Sequence, residues 1–114
     1  MSNHSQMISQ MLLKNEELLF EEGASHFHNF IAVGGTLVLT NRRLIFISCS
    51  SNHYKHEITI NLGQIKGVEF FKTLFMNPNG LALLHGDGQV DNFIVDDKKV
   101  WKGRIEKTLQ HFVA

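Results

Sequence analysis

From Phe27 onward the apolar and polar positions alternate in short runs. IAV, TLVLT, RLIFIS, EITINL, GVEFF, GLALL and VDNFIV are each rich in β-branched or aromatic residues and are separated by turn signals, which predicts seven strands. Gly34-Gly35 and Asp87-Gly88 read as two-residue hairpin turns that tolerate positive φ, and Thr40-Asn41-Arg42 closes a further tight turn. Connections this short predict an antiparallel meander. The segments Ser50 to His56 and Thr73 to Asn79 are longer, and the single proline, Pro78, lies in the second.

The phase of each run predicts what it buries. EITINL alternates cleanly, with Ile58, Ile60 and Leu62 on one face and Glu57, Thr59 and Asn61 on the other, the pattern of a sheet with one wet side. RLIFIS is apolar on both faces. Leu44 and Phe46 point one way and Ile45 and Ile47 the other, so this strand needs a second cover: a helix, a terminal segment or a partner chain.

After Val95 the period changes to that of a helix. Asp96 or Asp97 supplies the N-cap, and Val100, Trp101, Ile105, Thr108, Leu109 and Phe112 form one stripe opposite Lys98, Lys99, Lys102 and Glu106. Residues 1–15 read as an N-terminal extension with a short helix through Met7, Ile8, Met11 and Leu12, and Leu18 to Glu22 as the start of the first strand. The domain proper is expected over residues 16–114.

Composition narrows the class. A chain of 114 residues suits one module with one core, and 43% hydrophobic against 19% charged residues is ordinary for a folded globular domain. The net formal charge is zero, so no overall field draws in nucleic acid. The charge is blocked along the chain nonetheless: −3 over the first thirty residues, +3 through the middle, −4 from Asp87 to Asp97, and +4 from Lys98 onward. With Cys49 alone, no internal disulfide forms, which fits a reducing cytoplasm. The N-terminus lacks a signal-peptide pattern, and no apolar run approaches the roughly 18 residues that span a bilayer.

The order of elements, seven antiparallel strands and then an amphipathic helix, is that of the pleckstrin-homology (PH) superfold. The run FEEGASHFHNFIAVGGTLVLTNRRLIFIS resembles the opening of the GRAM domain, a PH-like module. EITINLGQIKGVE is similar to that family's strand ending in a Leu-x-x-Ile step before a Val-containing strand. NPNGLALLHGDGQVDNFIVDDKKVW is similar to its hairpin around a Gly-x-Gly turn, its Phe-x-Val strand and its helical tryptophan. The resemblance runs from about Glu16 to Phe112, with GGTLVLTNRRLIF as its strongest element. It implies a mainly β (α+β) fold: a PH-like barrel of about seven antiparallel strands closed by a C-terminal amphipathic α-helix, in a small stand-alone member of bacterial type. It also implies binding of lipid or protein beside membranes. The basic string that phosphoinositide-binding PH domains carry between their first two strands is missing, because that connection is read as Gly34-Gly35 alone.

The candidate chemistry is non-catalytic. Arg42 and Arg43 offer guanidinium forks suited to phosphate, yet adjacent strand residues point to opposite faces, so a structural role in the turn competes with ligand binding. Leu74, Phe75 and Met76 beside Lys72 form an apolar loop tip that either inserts shallowly at an anionic surface or folds back onto the core. Lys55 adds a further cation. His26 with His28 and His53 with His56 are the weak candidates for metal ligands, and neither pair has a third ligand at a suitable spacing, so no metal and no cofactor is expected. Cys49 has no assigned base, Asp96-Asp97 suits helix capping, and the glycines of HGDGQ precede a strand rather than a phosphate-binding helix.

The sequence therefore reads as a cytoplasmic binding module that docks on a protein partner or on an anionic membrane surface, peripherally at its inner face, and not on nucleic acid. The alternatives are a self-associating homo-oligomer covering the second face of RLIFIS and, from another class, a metal-dependent or thiol enzyme.

Overall fold

Strand-forming residues dominate the computed structural model, which describes residues 8, 10–28, 31–48, 56–71 and 80–112. The strands are β1 (Leu18–His28), β2 (Ile31–Thr40), β3 (Arg43–Ser48), β4 (Glu57–Asn61), β5 (Ile65–Phe71), β6 (Gly80–His85) and β7 (Val90–Val95), and the helix α1 (Lys98–His111) follows. All pair antiparallel in one sheet of order β4-β3-β2-β1-β7-β6-β5. Its two edges, β4 and β5, do not pair with each other, so the sheet curls around the core without closing into a barrel. A single 3-10 turn, Leu62–Gln64, bridges them: the Leu62 amide donates to Arg42 O at 3.0 Å, and Gln64 O accepts from the Gly86 amide at 2.9 Å.

The strand count matches the expectation, but the first boundaries move. IAV and TLVLT are one strand, and Gly34-Gly35 is its middle, opposite Ser25 and Ala24 of β1. Both glycines have negative φ among the described residues, so neither serves a turn. Gly35 is there for close approach: a Cβ would stand 2.2 Å from Ile47 O and 2.8 Å from the Ser48 Cα. The β1–β2 connection is residues 29–30, outside the described residues, and this hairpin again carries no basic string. The turn around Asp87-Gly88 is as expected, with Gly88 at φ 92° and its amide bonded to His85 O.

Every strand and the helix contribute to one core. Leu37, Leu39, Leu44, Phe46, Ile60 and Phe93 meet Trp101 and Ile105 there, with Phe20 and Ala24 of β1 packed against them. Asp97 caps α1, its carboxylate accepting from the Lys99 and Val100 amides at 3.1 and 3.2 Å. The expected stripe is buried through Trp101 and Ile105, but Val100 is exposed: it lies about 100° around the helix from Trp101, on the flank rather than the seam.

RLIFIS is covered on both faces, as its pattern required. Its second face, Ile45 and Ile47 with Val38, packs on Ile8 and Met11, so the cover is this chain's own N-terminal segment. Ile8 is buried and its carbonyl accepts the Leu12 amide, the helical bond expected there.

Gly35→Ala is expected to cost about 1–3 kcal/mol by overpacking β2 against β3, whereas Gly34→Ala, whose Cβ would meet no atom within 4 Å, should be near neutral. Denaturant midpoints of the two variants against the parent chain test this contrast.

Candidate functional site

The β2–β3 turn is built around Thr40. Its hydroxyl accepts from the Arg42 and Arg43 amides, both at 3.0 Å, and donates to Glu16 Oε2 at 2.6 Å. The Glu16 carboxylate also takes Arg43 Nε at 2.9 Å, Arg43 Nη2 at 3.1 Å and the Leu13 amide at 2.8 Å. Arg43 Nη2 reaches on to Met11 O. Burial pushes the Glu16 carboxyl up, but the bonds from Arg43, Leu13 and Thr40 outweigh it and hold the group below its ordinary 4.5. Asn15, at φ 68°, turns the chain so that Glu16 meets this cluster. One edge of the Arg43 guanidinium is thus committed to stapling the N-terminal segment onto the turn, while Arg42 is exposed. The two arginines do not converge on one ligand.

Of the other residues singled out in the sequence, Lys55, Lys72, Leu74, Phe75, Met76 and His53 lie outside the described residues, as does the side chain of His28. The β5–β6 connection that carries Lys72 to Met76 leaves from Phe71 and returns at Gly80, which are paired in register.

His26 and His56 do come together, with two residues that the spacing did not reveal. His26 is buried, its ring against Phe93 (5.1 Å between centroids) and Phe46 (5.9 Å). Its Nε2–H donates to Asp91 Oδ1 at 3.0 Å, and His85 Nε2–H donates to Asp91 Oδ2 at 2.7 Å. His26 Nδ1 lies 2.9 Å from His56 Nε2, a hydrogen bond between the two rings. These bonds, that from His26 foremost, outweigh burial and hold the Asp91 carboxyl below its ordinary 3.8. The result is a chain of four polar side chains from β1, β6, β7 and the residue just before β4. Among the described residues no group of three or more His, Cys, Asp or Glu is placed to hold a metal ion. Asp91, opposite Leu83 in the register, meets His85 diagonally across β6 and β7, and their polar positions in otherwise apolar strands were the signal the sequence offered.

A further feature had no sequence signal. Between β1, β2 and the second half of α1 lies a cleft of about 320 Å³. Leu19, Phe20, Leu39 and Phe112 supply its apolar walls. Two consecutive residues of β1 take part because the register shifts between Leu18 and Phe20, leaving Leu19 as the extra residue of a bulge. Arg104, Lys107 and His111 of α1 line the other side. Arg104 sits 4.1 Å from the Phe20 ring centroid, and that ring is itself 4.7 Å from Trp101.

A family model for the GRAM domain matches residues 2–112. No sequence among curated proteins matches the chain. Among solved structures the fold is similar to the C-terminal domain of an unknown protein from Leishmania infantum, with a TM-score of 0.76 and 16% identity over 94% of this chain and 99% of that one. It is similar to the Vps36 N-terminal PH domain, at 0.73 and 16% over 89% and 84%. The Slm1 PH domain, solved in complex with phosphoserine, gives 0.64 and 14% over 82% and 96%. Identities this low carry the fold alone.

Arg43→Ala leaves the Glu16 carboxylate buried without its cation and is expected to cost about 3–5 kcal/mol, against less than about 0.5 kcal/mol for Arg42→Ala; chemical denaturation of both variants checks the difference. The Asp91 carboxyl titrates below its unfolded value, so the stabilisation it supplies is complete above about 3.8 and is lost as the pH falls through its folded-state pKa. Asp91→Asn should accordingly be less stable than the parent near neutrality, with the gap closing in strong acid, as followed by denaturation across that range.

Proposed function

Because the chain belongs to the GRAM domain family, with a PH-like fold, we propose that it is a non-catalytic module that docks on an acidic surface, a protein partner or the face of an anionic membrane. GRAM and PH-like domains are generally lipid- or protein-binding modules. The observation that carries the reading is the distribution of charge on α1. The helix bears Lys98, Lys99, Lys102, Arg104 and Lys107 against the one acid Glu106, and it covers the core with Trp101 and Ile105 turned inward, leaving Lys99, Arg104 and Lys107 exposed.

Both flanks of the helix are cationic. On one, Lys98 Nζ lies 4.6 Å from the centre of the Phe70 ring, and Lys102 bonds Val68 O and Glu106. Phe70 is itself 41% exposed, so an apolar face sits among these cations, the composition that meets anionic headgroups or an acidic protein surface. We assign the β5–β6 connection to the same docking surface, with Leu74, Phe75 and Met76 for the shallow apolar contact and Lys72 and Lys55 as its cations. Arg42 and Arg43 belong to the β2–β3 turn, at the other end of β5, where Arg42 O accepts the Leu62 amide, so Arg42 is at most a separate electrostatic contact. Among the described residues no helix is long and apolar enough to cross a membrane, which fits docking at a surface by this chain.

Co-sedimentation with neutral and anionic liposomes, at low and physiological salt, tests the reading. Binding to anionic vesicles alone, weakened by salt and abolished by Phe75→Asp with little change in melting temperature, is the expected outcome. Protein left in the supernatant under all conditions would remove the membrane and leave the protein surface.

A further inference from the structure

We propose that the cleft between α1 and the β1–β2 hairpin is the docking site for an acidic peptide segment of a partner protein, anchored by one bulky apolar side chain. The inference rests on the chain being a binding module and names a site and a ligand class for it, apart from the β5–β6 connection and the Phe70 flank.

Three observations carry it. The first is shape. The cleft is concave, with walls of Leu19, Phe20, Leu39 and Phe112, and its volume of about 320 Å³ holds a protruding side chain rather than a flat surface. A bilayer presents no such protrusion.

The second is charge. No carboxylate lines the cleft, and among the described residues neither Arg104 nor Lys107 forms a salt bridge. His111 donates from Nδ1 to Lys107 O at 2.9 Å, which fixes its ring along the rim. Arg104 is held over Phe20, so its charge is already positioned at the wall and little freedom is lost on binding.

The third is spacing. Arg104, Lys107 and His111 follow one another along one flank of α1, and at about 1.5 Å per residue the row is about 10 Å long. The oxygens of a single phosphate cannot meet a row of that length together. Carboxylates two positions apart in an extended peptide share one face about 7 Å apart, within the length of that row, and the residue between them points to the opposite face, toward the apolar wall. The row therefore matches a segment with spaced acids better than one lipid headgroup or a free phosphate.

The test is fluorescence anisotropy of the full chain with a short labelled peptide in which two glutamates two positions apart flank a phenylalanine. Saturable binding is expected, weakened about tenfold or more by Lys107→Glu, which reverses an exposed rim charge without touching the core, and similarly by Leu19→Ser at the wall. Lys66→Glu, an exposed charge on β5 that does not line the cleft, should leave the affinity within about twofold, and the peptide with serine for phenylalanine should bind markedly less well. Equal binding by the Lys107→Glu variant, or by the phenylalanine-free peptide, would overturn the site. No saturable binding of the peptide, with anionic vesicles still bound and Lys107→Glu without effect on them, would overturn the cleft while leaving the docking module intact. Failure of both peptide and vesicles would count against the module as well.

Discussion

Strand β1 has to form hydrogen bonds on both of its edges, and the rest of the molecule is arranged around that requirement. It pairs with β2 along its whole length and with β7 over Ala24 to Phe27, so the first and last strands of the chain meet at the middle of the sheet. The alternate residues that β1 turns inward run from one end of the core to the other. Phe20 packs on Trp101, Glu22 accepts the Trp101 indole N–H at 3.0 Å, Ala24 packs on the core and His26 lies against Phe46 and Phe93. A small residue in the centre lets the walls approach, and the larger ones at either end set what each end of the core can do. Because β1 has both edges occupied, the exposed edges fall to β4 and β5, and the Leu62–Gln64 turn spans the gap between them.

The polar side chains that this arrangement buries are all satisfied, and they lie at the two places where the core meets chain ends or turns. Among the described residues no buried side-chain nitrogen or oxygen lacks a partner. The Glu16–Thr40–Arg43 cluster closes the β2–β3 turn, and Ile8 and Met11 pack over Ile45 and Ile47. The His26–Asp91–His85 cluster ties β1 to β6 and β7. Buried polar groups of this kind contribute little when made and cost several kcal/mol when half broken, so they select one arrangement of the strands more than they add to its stability.

The docking proposed for this chain falls to the exposed side of the helix and to the β5–β6 connection. The inward face of α1 is taken up by Trp101 and Ile105, and both flanks carry cations next to aromatic rings, Phe70 on one side and Phe20 on the other. The same helix that completes the core thereby presents five of the chain's eleven Lys and Arg side chains. The two flanks differ: one leaves the Phe70 ring exposed, and the other holds the cleft beside Leu19 and Phe20.

Hydrophobic periodicity by itself determined strands β2 to β7, though it split β2 in two and marked only the start of β1, together with the one-sided burial of β4, the need for a second cover on β3 and the capped helix after Val95, because each depends on residues close in sequence. Motif order made the family legible for the same reason. Gly34-Gly35 misled because a glycine pair suits a hairpin turn and a point of close strand approach equally well; only the position of β3, which brings Ile47 O against Gly35, distinguishes them. What joins residues far apart was decided by tertiary structure alone: Glu16 under Arg43, His26 with Asp91 and His85, and Leu19 opposite Lys107 across the cleft. Such contacts depend on strand register and on where the helix lands on the sheet, and both are set by the summed packing of the whole core rather than by any local run of residues.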